Sequence, residues 1–433
     1  MIETVTITGV ASELQGVGRA ADGRTLFVHG ALPGERVEAR ITRSGKRFCT
    51  AETLRIIDKS EHRIEPACPH YGQCGGCAAQ HMTYDYSLAL KRQRVQDALG
   101  RIGGLPDAEV RETIASPEPW RYRNKAEYHL AMQQGVMQLG MRARDSHRLI
   151  EVQDCPLQSE QSSRFLQAVR PFATEQLQHI VTRVNGDNQL MGILCTRGRL
   201  ANENQITHAL MAQLPQLVSL YRCDLAPKPN HALDGRCTLL AGDTHLSEQL
   251  HELRFSLSPQ SFFQVNRTQA EALIDQMLLA ADLRGHETVL DVYCGIGTLT
   301  LPLAQRAARV IGLEIVPPAI EDARKAAMEN GIDNAEFHLG DASAALAPLL
   351  RSHLKPDVVV VDPPRKGLDP SLIQQILTLN PDRIVYVSCD PGTLARDIKL
   401  LAPAYHLQYA QPLDMFPWTE HVETVCLMSR VEE

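Results

Sequence analysis

From residue 262 onward, apolar runs at ETVLDVY, ARVIGLEI, AEFHLG, DVVVVD and RIVYVSC alternate with stretches of helical periodicity such as NRTQAEALIDQMLLAADL. Strands that are apolar on both faces belong in a parallel sheet covered by helices on both sides. The pattern therefore predicts a doubly wound, Rossmann-like α/β domain over 261–433. The beginning of the chain reads differently. Residues 2–57 alternate apolar and polar positions in TVTITGVA, TLFVHGAL, RVEARITR and TAETLRIID, with turn signals at Asp22-Gly23 and Ser44-Gly45. This predicts a small, OB-like β-barrel over 1–57. Residues 58–260 mix the two periods and are expected to form a central α+β domain. Within it, Tyr84–Leu99 has helical spacing with Lys91, Arg92 and Arg94 outside the apolar stripe, and AEYHLAM, VMQLGMRAR and RLIEVQDCPL read as strands.

Composition narrows the class. Hydrophobic residues make up 44% of 433 positions and charged residues 22%, as in an ordinary globular protein. No apolar run reaches the roughly 18 residues that span a bilayer. The opening MIETVTITGV has no basic segment and reads as a strand rather than a leader, so a cytoplasmic, monomeric protein is expected. A net charge of −7 argues against indiscriminate coating of nucleic acid but leaves room for a local basic surface. One such surface is expected between 119 and 148, where six Lys or Arg meet two acids and Trp120-Arg-Tyr122-Arg123-Asn-Lys125 interleaves aromatics with cations. Phe262 and Phe263 either stack on an extruded base or pack a domain junction.

The first strand of the α/β domain ends in Asp291-Val-Tyr293-Cys-Gly295-Ile-Gly297-Thr298. Glycines after a strand let the backbone approach a ligand, but the third glycine of a pyrophosphate loop is missing. That disfavours a dinucleotide and suits S-adenosylmethionine. Glu314 ends the next strand, where a carboxylate can accept from both ribose hydroxyls. Asp341 follows the third strand and Asp362 the fourth, in Asp-Pro-Pro-Arg. The competing reading is that these acids only cap helices.

The fifth strand delivers Cys389 to the same edge, in SCDP. A thiol there has a chemical use. Pyrimidine C5 is a weak nucleophile until a thiolate adds to C6, and a cysteine both attacks and leaves well. The proton then left on C5 needs a base, and the C-terminal His421-Val-Glu423 supplies one; Glu423 is preferred over His421. Asp362-Pro-Pro ends in Arg365 rather than an aromatic residue, which weighs against exocyclic-amine methylation.

Eleven cysteines in such a chain point to metal binding or catalysis rather than disulfides. Cys68, Cys74 and Cys77 lie close together and Cys155 lies far downstream, enough for a four-sulfur site. By spacing alone, zinc and an iron–sulfur cluster both remain open, with His70 and His81 as alternative ligands.

Together, SFFQVN, LDVYCGIGTLTLPLA, VIGLEIV, VVVVDPPRKGL, IVYVSCDPGTLARD and MFPWTEHVE resemble the uridine-C5 RNA methyltransferase family, the RumA/TrmA group. The resemblance covers essentially the whole chain, and the barrel resembles the TRAM domain of the RumA branch. It implies a cofactor pocket lined by Gln264, Tyr293, Thr298, Glu314, Asp341 and Asp362, with Cys389 as nucleophile and Glu423 as base. It also implies a [4Fe-4S] cluster on Cys68, Cys74, Cys77 and Cys155, and an RNA substrate, 23S ribosomal RNA rather than transfer RNA. Cys294 has no implied role beyond core packing. Two other readings compete. A cytosine-C5 enzyme is disfavoured because no cysteine follows Asp-Pro-Pro, and a non-catalytic RNA-binding iron–sulfur scaffold because Cys389 and Glu423 are both present.

Overall fold

The computed structural model describes residues 1–431 apart from 12, 134, 145, 147, 352 and 353. Asp145, one of the two acids in the basic stretch, lies outside the described residues. Seven strands build the C-terminal sheet: β1 Thr288–Val292, β2 Arg309–Glu314, β3 Ala335–Leu339, β4 Val358–Val361, β5 Arg383–Ser388, β6 Tyr405–Leu413 and β7 Glu423–Arg430. Their spatial order is β3-β2-β1-β4-β5-β7-β6. The first five are parallel, and β7 runs antiparallel between β5 and β6. In the central strand, Val358 and Val360 face the helix Arg267–Ala281, while Val359 and Val361 face Pro370–Leu379 and Pro391–Leu401. Burial on both faces is why these strands are apolar at every position. The order reverses between β1 and β4, so a crevice opens at their carboxyl ends, where ligands bind in such sheets.

The N-terminal sheet runs Ile2–Thr6, Arg36–Ser44, Phe48–Asp58, Thr25–His29, Gly16–Arg19, Gly9–Val10 around a core of Val5, Ile7, Leu26, Val28, Val37 and Ala51. The strand Gly16–Arg19 is absent from the sequence pattern because close packing selects glycine over strand formers there. A Cβ on Gly18 would stand 2.6 Å from Val5 Cγ2 and 2.8 Å from the Thr6 carbonyl oxygen.

The central sheet also has seven strands, from the edge strand Gly235–Gly242 through Leu217–Leu225, Leu190–Thr196, Leu177–Val184, Lys125–Gln133 and Val136–Arg142 to Leu149–Glu151. The helices Glu160–Val169 and Glu203–Gln213 cover one face through Phe165, Leu166, Ile206 and Leu210. The opposite face, with Val181, Met191 and Ile193, shares one apolar core with the hairpin 246–257 and the helix Arg267–Ala281. Among the described residues no helix is long and apolar enough to cross a membrane.

The helix Tyr84–Arg101 lays Val95 and Leu99 against Leu394, Ala395 and Ile398 of the C-terminal half. Here the structure corrects the periodicity, which sets Lys91 and Arg94 outside the buried stripe. Lys91 is fully buried: its Nζ donates to Asp414 Oδ1 and, at 3.0 Å, to the Phe416 carbonyl. Tyr84 Oη donates to Asp414 Oδ2 at 2.7 Å, and Arg94 donates to the Glu420 carbonyl. Burial pulls the Lys91 ammonium below its ordinary range while Asp414 opposes the shift. A second burying surface, invisible to a one-dimensional stripe, thus covers the helix's basic side. Lys91→Met would strand the Asp414 carboxylate without its cation and is expected to cost about 3–5 kcal/mol, read from urea unfolding. Lys91→Met with Asp414→Leu should recover part of that loss, because both charges leave together. A single-variant effect below about 1 kcal/mol would show that the pair does not carry this packing.

Candidate active site

The crevice is built from strand ends. After β1 the chain turns sharply at Tyr293, whose φ of 73° is unusual for a bulky residue, and the N–H groups of Tyr293 and Cys294 both donate to the Leu313 carbonyl at 2.9 Å. Glu314, at the end of β2, accepts from Gly295 N at 3.1 Å, Ile315 N at 2.8 Å and Val316 N at 2.9 Å, so its carboxylate ties the two loops together. Asp291 is fully buried. One carboxylate oxygen accepts from Thr300 Oγ1 at 2.6 Å and the other has no protein partner, and burial pushes this acid up to about 7. Tyr293 and Thr298 are half-buried on the glycine loop. Asp341 is exposed and accepts from Ser343 N at 3.1 Å, which is the helix-capping geometry. Gln264 is half-buried, and its carbonyl accepts from Asn124 Nδ2 at 2.9 Å across the junction with the central sheet. Cys294 packs in the core with its thiol pushed well up by burial.

Asp362 follows β4 on a loop held from behind. Arg396 donates to the carbonyls of Lys366 (2.9 Å) and Leu368 (3.3 Å), and buried Asp397 accepts from Leu368 N (2.8 Å) and Tyr386 Oη (2.7 Å). Gly367 has a φ of 74°, and a Cβ there would stand 2.5 Å from Asp397 Oδ2. The Ala-Arg-Asp that ends the Cys389 motif therefore secures the Asp-Pro-Pro-Arg loop, a task that sequence reasoning missed because it exists only once the two loops meet.

Cys389 leaves β5 as Asp390 caps the helix Pro391–Leu401 through Thr393 N at 2.8 Å. Ser388 pairs with Thr424 in the β5–β7 register, so the next step outward sets Cys389 opposite Glu423. Glu423 is only 4% exposed, and burial, then Asp362, pushes it up to about 8. Burial, then Glu423 and Asp362, pushes the Cys389 thiol up to about 11. Burial, then Asp291, pushes Asp362 up to about 7. The cation opposing the shifts of Cys389 and Glu423 is Arg365, which also contacts His421 Nε2 at 3.2 Å. His421 is drawn below its ordinary range, chiefly by burial. An edge this rich in acids and this poor in cations suits a positively charged ligand, and the sulfonium of S-adenosylmethionine is one.

The predicted thiols also meet. Cys68, Cys74, Cys77 and Cys155 are all free and line one cavity of about 270 Å³ with Tyr71 and Arg123. Neither His70 nor His81 lines it; His81 instead contacts Tyr71 Oη through Nδ1 at 2.5 Å. Among the described residues, no three His, Cys, Asp or Glu side chains form a group that could hold a metal ion.

Comparison with known proteins decides the family. The family model described as tRNA (Uracil-5-)-methyltransferase matches residues 83–431, and the TRAM domain model matches residues 2–54. The chain belongs to this RNA uracil-5-methyltransferase family. It is 40% identical to an uncharacterized RNA methyltransferase of Halalkalibacterium halodurans, covering 98% of this chain and 96% of the relative. An uncharacterized RNA methyltransferase of Clostridium tetani is 38% identical over 98% of this chain and 95% of its own. Among solved structures, the Pyrococcus abyssi tRNA (uracil-54, C5)-methyltransferase in complex with S-adenosyl-L-homocysteine is 26% identical. It superposes with a TM-score of 0.76 over 98% of this chain and 100% of that one. The protein is thus an S-adenosylmethionine-dependent RNA methyltransferase with an N-terminal TRAM domain.

In this methyltransferase the aromatics of 120–125, expected to belong to a basic RNA-facing surface, pack inward. Tyr122 is buried with its Oη donating to the Pro417 carbonyl at 3.1 Å, and Trp120 stacks on Trp418 at 4.6 Å between ring centroids. Lys125 is drawn down to about 8 by burial and by Arg183. The segment packs against the turn before Glu423, and interleaved aromatics and cations read alike whether they face RNA or a partner loop. Of the two phenylalanines, Phe263 packs the junction beside Phe255, while Phe262 is 70% exposed.

Proposed function

We propose that this enzyme methylates C5 of a uridine in RNA through a covalent adduct at Cys389, with Glu423 removing the C5 proton. The observation that carries this reading is a cysteine and a buried glutamate at facing positions beyond the Ser388–Thr424 pair, beside Asp362. The Cys389 thiolate adds to C6, and the ring electrons gather at C5. Bound S-adenosylmethionine supplies the electrophilic methyl group. Glu423 then takes the proton from C5, and the returning electrons expel Cys389. Arg365 favours both anions, the thiolate and the carboxylate. Gln264, Tyr293, Thr298, Glu314, Asp341 and Asp362 are the proposed cofactor-binding residues. The gathering of Asp291, Glu314 and Asp362 at the crevice supports this assignment.

Cys68, Cys74, Cys77 and Cys155 are the proposed ligands of a [4Fe-4S] cluster. A cube spreads its four thiolates over four irons, whereas zinc draws them to one centre. Four free thiols lining one cavity support a shared inorganic group there, and the family resemblance selects the cluster.

For the substrate we propose 23S ribosomal RNA, because a barrel adds backbone contacts that help grip a loop within a large RNA. One observation favours transfer RNA instead: the Pyrococcus enzyme, a tRNA (uracil-54, C5)-methyltransferase, superposes over 98% of this chain, barrel included.

RNA carrying 5-fluorouridine is expected to become covalently bound to the wild-type enzyme, because fluorine at C5 cannot leave as a cation. Cys389→Ala should abolish both adduct and turnover, and a turning-over Cys389→Ala enzyme would sink the covalent step. With Glu423→Ala, ordinary RNA should accumulate as adduct while turnover falls roughly a hundredfold or more.

Protein prepared without oxygen is expected to hold about four iron and four sulfide per chain. Stoichiometric zinc without sulfide would overturn the cluster. For the substrate, nucleoside mass spectrometry of separated RNA pools from a deletion strain is expected to reveal 5-methyluridine lost from 23S RNA. Its loss from the transfer-RNA pool alone would select the other substrate.

A further inference from the structure

A row of reactive side chains crosses five adjacent strands of the central sheet and includes none of the residues assigned to the crevice or to the four-thiol cavity. The register pairs His129 with His179, His179 with Cys195, Cys195 with Cys223 and Cys223 with Cys237. Residues directly opposite one another on neighbouring strands share a face, so the three thiols lie side by side. Cys195 and Cys223 are fully buried, whereas Cys237 is part-exposed on the edge strand Gly235–Gly242. The row therefore has one end open to solvent and a second thiol directly behind it.

We propose that Cys237 and Cys223 form an oxidisable dithiol that closes a reversible cross-strand disulfide on reaction with hydrogen peroxide. The inference is independent of the reading of the crevice. Opposed residues on neighbouring strands have Cα atoms about 4.5–5.5 Å apart, inside the roughly 4.4–6.8 Å that a disulfide spans. The Cys237 thiolate attacks the peroxide O–O bond, giving a sulfenic acid and hydroxide. Cys223 sulfur then attacks the sulfenic sulfur, forming the S–S bond and releasing a second hydroxide. With the two thiol protons, the products are one disulfide and two waters, so two electrons pass from the thiols to the peroxide.

The bond would tie the edge strand to its neighbour just where Gln260 Nε2 donates to the carbonyls of Leu233 (2.9 Å) and Gly235 (3.3 Å). That clasp leads directly into the loop bearing Phe262 and Gln264.

Peptide mapping tests this on the full chain. Trypsin separates the three thiols into peptides 184–197, 223–236 and 237–254, because Lys228 precedes a proline and is not cut. The protein is treated with a small excess of hydrogen peroxide, then unfolded in N-ethylmaleimide and digested. Peptides 223–236 and 237–254 are expected to appear joined, two hydrogens lighter than their sum, and to separate on reduction with dithiothreitol. Cys195 should carry the maleimide. In Cys237→Ser, both Cys195 and Cys223 should remain fully labelled after the same treatment. The proposal is overturned if Cys237 proceeds to sulfinic acid while Cys223 stays labelled, or if Cys195 and Cys223 join equally fast in Cys237→Ser.

Discussion

A slip of one residue between the strands Arg383–Ser388 and Glu423–Arg430 would turn Glu423 to the opposite face of the sheet from Cys389. That register is the constraint on which the crevice depends, and several parts of the chain hold it. Val387 and Val425 are buried in one core, Tyr386 and Cys426 in the other, so a slip would exchange two packed faces at once. The segment entering the last strand is fixed separately. Asp414 is gripped by Lys91 and Tyr84, while Trp418 accepts at its carbonyl from Ala78 N and Ala79 N at 2.9 and 3.0 Å. A helix and a cysteine loop from the first hundred residues therefore position a glutamate near the C-terminus. This explains why the central region and the methyltransferase sheet share contacts rather than standing as beads on a string.

How much of this was legible in the sequence follows from which interactions are local. The parallel strands announce themselves, because a strand buried on both faces must be apolar throughout, as Val358–Val361 is. Cys389 and Asp362 were legible as strand-end residues because the doubly wound topology sends every parallel carboxyl end to one edge, and Glu423 reaches that edge as the start of the antiparallel last strand. What stayed hidden depends on a second surface. Lys91 reads as solvent-facing until Asp414 arrives from more than three hundred residues away, and Gly16–Arg19 reads as a loop until its neighbours require the missing side chains. Trp120 and Tyr122 carry the composition of a nucleic-acid platform, yet they serve as the wall against which the Trp418 turn rests.

The electrostatics of the crevice decide which charge it favours. Asp291, Asp362 and Glu423 are each raised by burial and, for the last two, by a neighbouring carboxylate, so together they resist full ionisation. Like charges gathered in a poorly hydrated site destabilise their ionised forms unless a cation joins them. Arg365 is exposed and answers only part of this demand. A cationic methyl donor would meet the rest, and its neutral thioether product would not. The same carboxylates that favour entry of the donor would thus disfavour retention of the product.

The two thiol groups of this chain show how backbone geometry decides what cysteines can do. Cys68, Cys74, Cys77 and Cys155 sit on irregular segments, where Gly75-Gly76 lets the chain wrap a cavity from several directions. Ligands arriving from different sides can enclose an inorganic group. Cys195, Cys223 and Cys237 sit on ordered strands, whose pleat points all three side chains the same way at regular spacing. A straight row cannot converge on one centre, so these thiols are poor ligands for an ion held in common. Neighbours within it can still react in pairs, since a disulfide needs only two sulfurs at the spacing that the sheet already sets. Chemistry that encloses a cofactor therefore belongs to the loops, and chemistry that passes between adjacent atoms belongs to the sheet.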